Sequence, residues 1–149
     1  MRVYLVIMDE SAEAKVAMTY ASRLALQADG TVHMLALVPP QQFSAFGGVQ
    51  ATMEEEARSR AEVMVTSAAG RYFSESGRMP VISVEQGDPE KVVREYLAEH
   101  PEVSALVLGA AEDGPGPLVT HFSAHSGTLP CPLYIVPGDW KHETVGEMF

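Results

Sequence analysis

Gly109-Ala110-Ala111 and then Gly114-Pro115-Gly116-Pro117 make a stretch of little side-chain bulk that leads into the apolar pair Leu118 and Phe122, four apart. Such a run at a helix start can hold an anion, because the free N–H groups of the first turn and the helix dipole both favour negative charge. Pro115 and Pro117 remove two of those donors, and a Gly/Pro run is also an ordinary connector. Asp9 is the second residue of interest. It ends the wholly apolar run Val3–Met8, so it either presents a carboxylate at a strand end or caps the helix that follows. His121 and His125, four apart, would share a helix face as two metal ligands do, but a third ligand is not evident and polar surface histidines are the plainer reading. Ser11 lacks the Gly-x-Ser-x-Gly of a nucleophile elbow and reads as part of an N-cap. Cys131, between two prolines, reads as a small buried hydrophobe.

The elements that would position these residues follow from hydrophobic patterning. Val3–Met8 is a continuous apolar run, as a strand buried on both faces requires, and Val32–Val38, Val81–Val84, Val103–Leu108 and Leu133–Val136 resemble it. Between them the apolar period changes to three and four. Ala14, Ala17, Met18, Ala21, Leu24, Ala25 and Ala28 give one helix face, stopped at Asp29-Gly30. Thr52 is a candidate N-cap ahead of Glu54–Glu56, with Met53, Ala57, Ala61, Met64, Ala68 and Tyr72 as the buried stripe of a second helix to about Ser76-Gly77. Asp88-Pro89 starts a third, with Val92, Val93, Tyr96 and Leu97 inward. A short fourth helix follows Pro117 and ends near Gly127. Strict β-α alternation predicts an α/β fold with a parallel sheet and right-handed crossovers. In such a sheet ligands bind beyond the C-terminal strand ends. The loops to watch are therefore Asp9-Glu10-Ser11, the long segment Pro39–Gln50, and Gly109–Pro117. Pro39–Gln50 is either a surface loop or a flap over the crevice; Gly138–Phe149 is a tail, frayed or docked on a neighbouring subunit.

Composition narrows the partners. With 149 residues the chain is expected to form one domain, 1–149, and its 46% hydrophobic content supplies an ordinary core. Ten basic against 20 acidic residues give a net charge of −10, which argues against nucleic acid or an anionic membrane as partner. A lone cysteine and no CxxC pair suit a reducing cytoplasm. The first apolar run stops at Asp9, too short for a signal peptide, and no run approaches the roughly 20 residues of a membrane span. A soluble cytoplasmic protein is expected.

The chain resembles the universal stress protein family over nearly its whole length. The residues that carry the resemblance are Val6-Ile7-Met8-Asp9-Glu10-Ser11 leading into Ala17–Ala28, Gly87-Asp88-Pro89, Ala105-Leu106-Val107-Leu108-Gly109, and Pro130-Cys131-Pro132-Leu133-Tyr134-Ile135-Val136-Pro137. No one of them is specific alone; their order and spacing together make the match. The resemblance implies a three-layer α/β/α sandwich with a five-stranded parallel sheet in order 3-2-1-4-5, and a homodimer paired through the last strand. It further implies a regulatory or binding protein of the stress response, not an enzyme. In members that bind ATP an acidic residue after strand one accepts from the adenine amino group, here Asp9, and the end of strand two supplies main-chain contacts, here Leu37 or Val38. Their phosphate loop runs glycine, two residues, glycine, nine residues, glycine, then serine or threonine. This chain starts that motif at Gly109 and departs from it, with Glu112 at the second glycine and Val119-Thr120 at the closing pair. Starting at Gly114 instead gives Pro117 at the second site, although Gly127-Thr128 fits the end.

The expected site is thus Asp9, Leu37, Val38, Gly109, Gly114, Gly116 and Thr120, holding ATP or another adenine nucleotide, with Mg²⁺ only alongside the nucleotide. Glu112 and Asp113 would set two carboxylates near any triphosphate, at a cost of about 1–4 kcal/mol per close like-charge contact unless a cation intervenes. The alternative is a dimer of the same fold that acts through protein contacts alone. An enzyme cleaving the α-phosphate of ATP on a related fold would need a Ser-Gly-Gly-rich loop after strand one, which Asp9-Glu10-Ser11-Ala12 does not supply.

Overall fold

The computed structural model describes residues 1–38, 47–147 and 149. In chain order its elements are β1 (Val3–Met8), α1 (Ala12–Gln27), β2 (Thr31–Val38), α2 (Gly47–Ser76), β3 (Val81–Gln86), α3 (Pro89–Glu99), β4 (Ala105–Ala110), α4 (Pro117–Ala124), β5 (Leu133–Pro137) and α5 (His142–Glu147). The five strands form one parallel sheet in the order β3-β2-β1-β4-β5, as expected. β1 is the middle strand, and its six residues are all buried because each faces a helical layer.

The period-2 geometry of the strands sorts the core into two layers. Tyr4, Val6 and Met8 of β1 join Val32, Met34, Ala36 and Val38 of β2 against α1 and α2. Val3, Leu5 and Ile7, with Leu35 and Leu106, face α3 and α4, where Val93, Tyr96, Leu97 and Phe122 complete the packing. α1 meets the sheet through alanines 14, 17, 21 and 25, which let its backbone lie close. Ser11 caps it, accepting from the amide of Ala14 at 3.2 Å, and Asp88 caps α3 from the amide of Lys91 at 3.3 Å with Pro89 in the first turn.

Four expectations change. α2 begins at Gly47, so Thr52 lies inside the helix and is not its cap. A Gly-Gly pair reads as loop in isolation, yet an established helix gains a hydrogen bond for each residue it adds and runs through such a pair. Of the loop Pro39–Gln50, residues 39–46 and any flap they form lie outside the described residues. The strand expected at Val103–Leu108 runs instead from Ala105 to Ala110, because Val103 and Ser104 are held by the His100 carbonyl and by Val3. β3 and β5, unlike β1, are edge strands with partly exposed side chains.

The tail is docked on its own chain. Gly138 donates to Ala110, Val145 is fully buried, and Trp140 and Phe149 gather with Tyr134 around the Tyr20 ring at centroid distances of 5.5–6.4 Å. Rings that tilt edge against face bury large apolar area with favourable quadrupole contacts. Among the described residues no helix is long and apolar enough to cross a membrane.

One polar side chain sits in the second core layer. His33 of β2 is buried, its Nδ1 2.8 Å from the Tyr96 hydroxyl, with the ring of His100 stacked on Tyr96. Burial pushes the His33 imidazole below its ordinary pKa of 6.5; the Glu102 carboxylate opposes this and His100 adds to it. The unfolded chain therefore takes up a proton near pH 6.5 that the folded chain resists, and stability falls as pH drops through that value. Urea unfolding at pH 7.5, 6.5 and 5.5 is expected to show this decline, and His33→Gln to flatten it. An unchanged slope in the variant would place the proton uptake elsewhere.

Candidate functional site

Two crossovers leave β1 and β4 in opposite directions, α1 from β1 and α4 from β4, and a crevice opens where they part. A cavity of about 190 Å³ lies there, lined by Asp9, Leu37, Gly109, Gly116 and the first turn of α4, with Ile7, Leu108, Pro115 and Pro117 as apolar walls. A second compartment of about 280 Å³ adjoins it, shares Asp9 and Leu37, and is closed by Val38, Glu10, Arg60 and Met64. Neither alone reaches the roughly 300–1,000 Å³ of a typical ligand site. Both are bordered by Asp9 and Leu37.

Asp9 is not the cap of α1, since Ser11 takes that place. Its Oδ1 accepts from the Ser11 amide at 2.8 Å and from the Ser11 hydroxyl, which orients the carboxylate and leaves Oδ2 for a ligand. Leu37, at the end of β2, faces both compartments. Val38 is buried beside it, and its carbonyl accepts from Gly87 at 3.2 Å.

The glycine loop is built differently from the motif. Gly109 lines the cavity, yet the space where its Cβ would stand is taken by the Glu13 carbonyl of α1, at 2.2 Å. This glycine permits close helix-to-strand packing. Gly114 and Gly116 have φ of +149° and +91°, backbone that the turn requires and side chains resist. Gly114 does not line the cavity, and its amide points at the Ala111 carbonyl. Gly116 ends the turn as N-cap of α4 without a side-chain cap bond, so the amides of Leu118 and Val119 lack intrahelical acceptors. Thr120 faces away; its hydroxyl donates to the Gly116 carbonyl at 2.9 Å.

The acidic residues are redistributed too. Glu112 and Asp113 are exposed and line neither compartment. Glu13 lines the first one instead, one helical turn past Asp9, and sequence reading missed it because a first-turn glutamate is so ordinary at a helix N-terminus. Among the described residues Arg60 is the single basic residue of the two linings, and it approaches Glu10 at 3.9 Å.

His121 is engaged by neighbours, with Glu90 3.4 Å from Nδ1 and Arg94 3.3 Å from Nε2, while His125 bonds the His121 carbonyl. Among the described residues no group of three or more His, Cys, Asp or Glu side chains could hold a metal ion. Cys131 is half-buried against the second core layer, and burial pushes its thiol pKa up, away from reactive thiolate.

Strand order and crevice position define an open, doubly wound α/β domain. The universal stress protein family model matches residues 1–137, and the chain belongs to that family. Among curated proteins no sequence matches it. Solved structures share the fold at low identity. The universal stress protein UspA from Lactobacillus plantarum superposes with a TM-score of 0.79 at 19% identity, covering 91% of this chain and 97% of the other. A universal stress protein family member from Arabidopsis thaliana, solved with AMP bound, gives 0.64 at 16% identity, covering 92% of each. A universal stress protein in complex with cAMP gives 0.53 at 14%, covering 91% and 96%.

Proposed function

We propose that this chain is a regulatory binding protein of the stress response that takes an adenine nucleotide in the crevice between β1 and β4, and that it has no catalytic turnover. The observation that carries this reading is the meeting of Asp9, Leu37 and Gly109 from three strands in one apolar-walled cavity. A flat base suits those walls, and an adenine amino group suits the free Oδ2 of Asp9. Two neighbours of the same fold, solved with AMP and with cAMP, support the ligand class. Ser11, the hydroxyl closest to a nucleophile's place, is committed to Asp9 and to capping α1, which favours binding over hydrolysis.

The test is to denature purified protein, look for a released adenine compound, and titrate adenine nucleotides in thermal unfolding. A ligand at about 100 times its Kd adds roughly 2.7 kcal/mol of stability. Asp9→Ala is expected to abolish that gain while leaving the unliganded transition in place. No bound compound and no shift with any adenine nucleotide would sink the reading, and pyrophosphate release above buffer would overturn the absence of turnover.

The same reading includes a homodimer in the cytoplasm, paired through β5. Among the described residues only β4 borders β5 in the sheet, and Tyr134 and Ile135 stand 37% and 42% exposed along it. An unpaired, apolar edge invites a second strand. Ile135→Glu is expected to convert the dimer to monomer in light scattering. If Ile82→Glu on β3 does so instead, the other edge is the interface.

A further inference from the structure

We infer that the crevice selects the nucleoside part of its ligand and discriminates against phosphate charge, with Glu13 as a specificity-determining residue. This rests on the adenine reading above and narrows it.

Among the described residues, the compartment at the mouth of α4 is lined by two acidic residues, Asp9 and Glu13, and by no lysine, arginine or histidine. The adjoining compartment adds Glu10, and its one cation, Arg60, already faces Glu10. Glu13 makes no ion pair or side-chain hydrogen bond among the described residues. Two features that would receive a triphosphate are taken or missing: the Thr120 hydroxyl is bonded to Gly116, and Pro115 and Pro117 carry no N–H. The unpaired amides of Leu118 and Val119 remain as neutral donors, with no cation in this compartment among the described residues, and do not match the charge of a triphosphate.

What the lining does fit is a ligand that donates. Carboxylates only accept, so the ribose hydroxyls and the exocyclic amine of adenosine are complementary to them, as acidic residues meet ribose hydroxyls in other doubly wound folds. Each phosphate added brings like charge toward Asp9 and Glu13 inside a site partly shielded from water, where repulsion is stronger than in bulk. Affinity should therefore fall from adenosine through AMP to ATP.

Calorimetric titration of the full chain with adenosine, AMP and ATP in Mg²⁺-free buffer tests this. The expected result is a loss of about tenfold or more from adenosine to ATP, the scale of one like-charge contact near a protein surface. Glu13→Gln keeps the shape of the side chain, removes its charge, and is expected to narrow the gap by raising ATP affinity. High salt, which shortens the Debye length to about 3 Å at 1 M, should narrow it in the unmodified protein as well. ATP binding as tightly as adenosine, or a gap insensitive to both Glu13→Gln and salt, overturns the inference while the adenine reading stands. If none of the three compounds binds, both fall together.

Discussion

Gly109→Ala is expected to destabilise the fold by at least about 3 kcal/mol, lowering the thermal midpoint by roughly 6–12 °C. The added Cβ would stand 2.2 Å from the Glu13 carbonyl oxygen and 2.5 Å from its carbon, and backbone at the start of a capped helix cannot rotate aside as a side chain can. α1 would have to lift from β4, opening the layer where Ala14 and Ala17 lie flat against the sheet. Gly70→Ala is the control: Gly70 lies in α2 with nothing within 4 Å of the new methyl, and the change should stabilise by about 0.5–1 kcal/mol through helix propensity. Chemical denaturation of both variants measures the pair. Equal and small effects would show that Gly109 is no close-packing position.

Phe122→Ala is expected to cost about 3–5 kcal/mol. The ring is fully buried in the second core layer, with the His121 ring edge-on at 4.9 Å and the Arg94 guanidinium 5.3 Å from its centroid. Truncation leaves a cavity under a helix of only two turns and strips Arg94 of its cation–π partner. Because the same helix presents Leu118 and Val119 to the crevice, ligand affinity should weaken along with stability. Phe122→Leu should recover part of both. A stability loss below about 1 kcal/mol in urea would mean that α4 is not anchored through this ring.

The periodicities of the chain made most of the architecture legible. Ser11 and Asp88 were readable as caps because their neighbours carry the helical repeat, and β1 as a strand buried on both faces because all six of its residues are apolar. Where signals depend on distant contacts, reading fell short. Gly47-Gly48 looked like a loop although it opens α2, and the tail could not be assigned to its own Tyr20. His33 passed unnoticed, since a single imidazole within an apolar run gives no sign of the tyrosine 63 residues away that satisfies it.

At the site the division is similar. Residue types and spacing placed Asp9 and Gly109 at strand ends, because strand ends and helix starts are local events that patterning reveals; the strand order that sets both beside one crevice was implied by the family resemblance. Which acids line it was decided by tertiary structure. Asp9 and Glu13 lie on one side of a helix start, so a half-turn of α1 brings Glu13 in, while Glu112 and Asp113 sit on a turn that points them to solvent. The role of Gly109 also belonged to tertiary structure, because a missing Cβ reads the same in sequence whether a ligand or a neighbouring backbone fills the space. Packing resolves it, for two atoms cannot share one volume and Glu13 is already there.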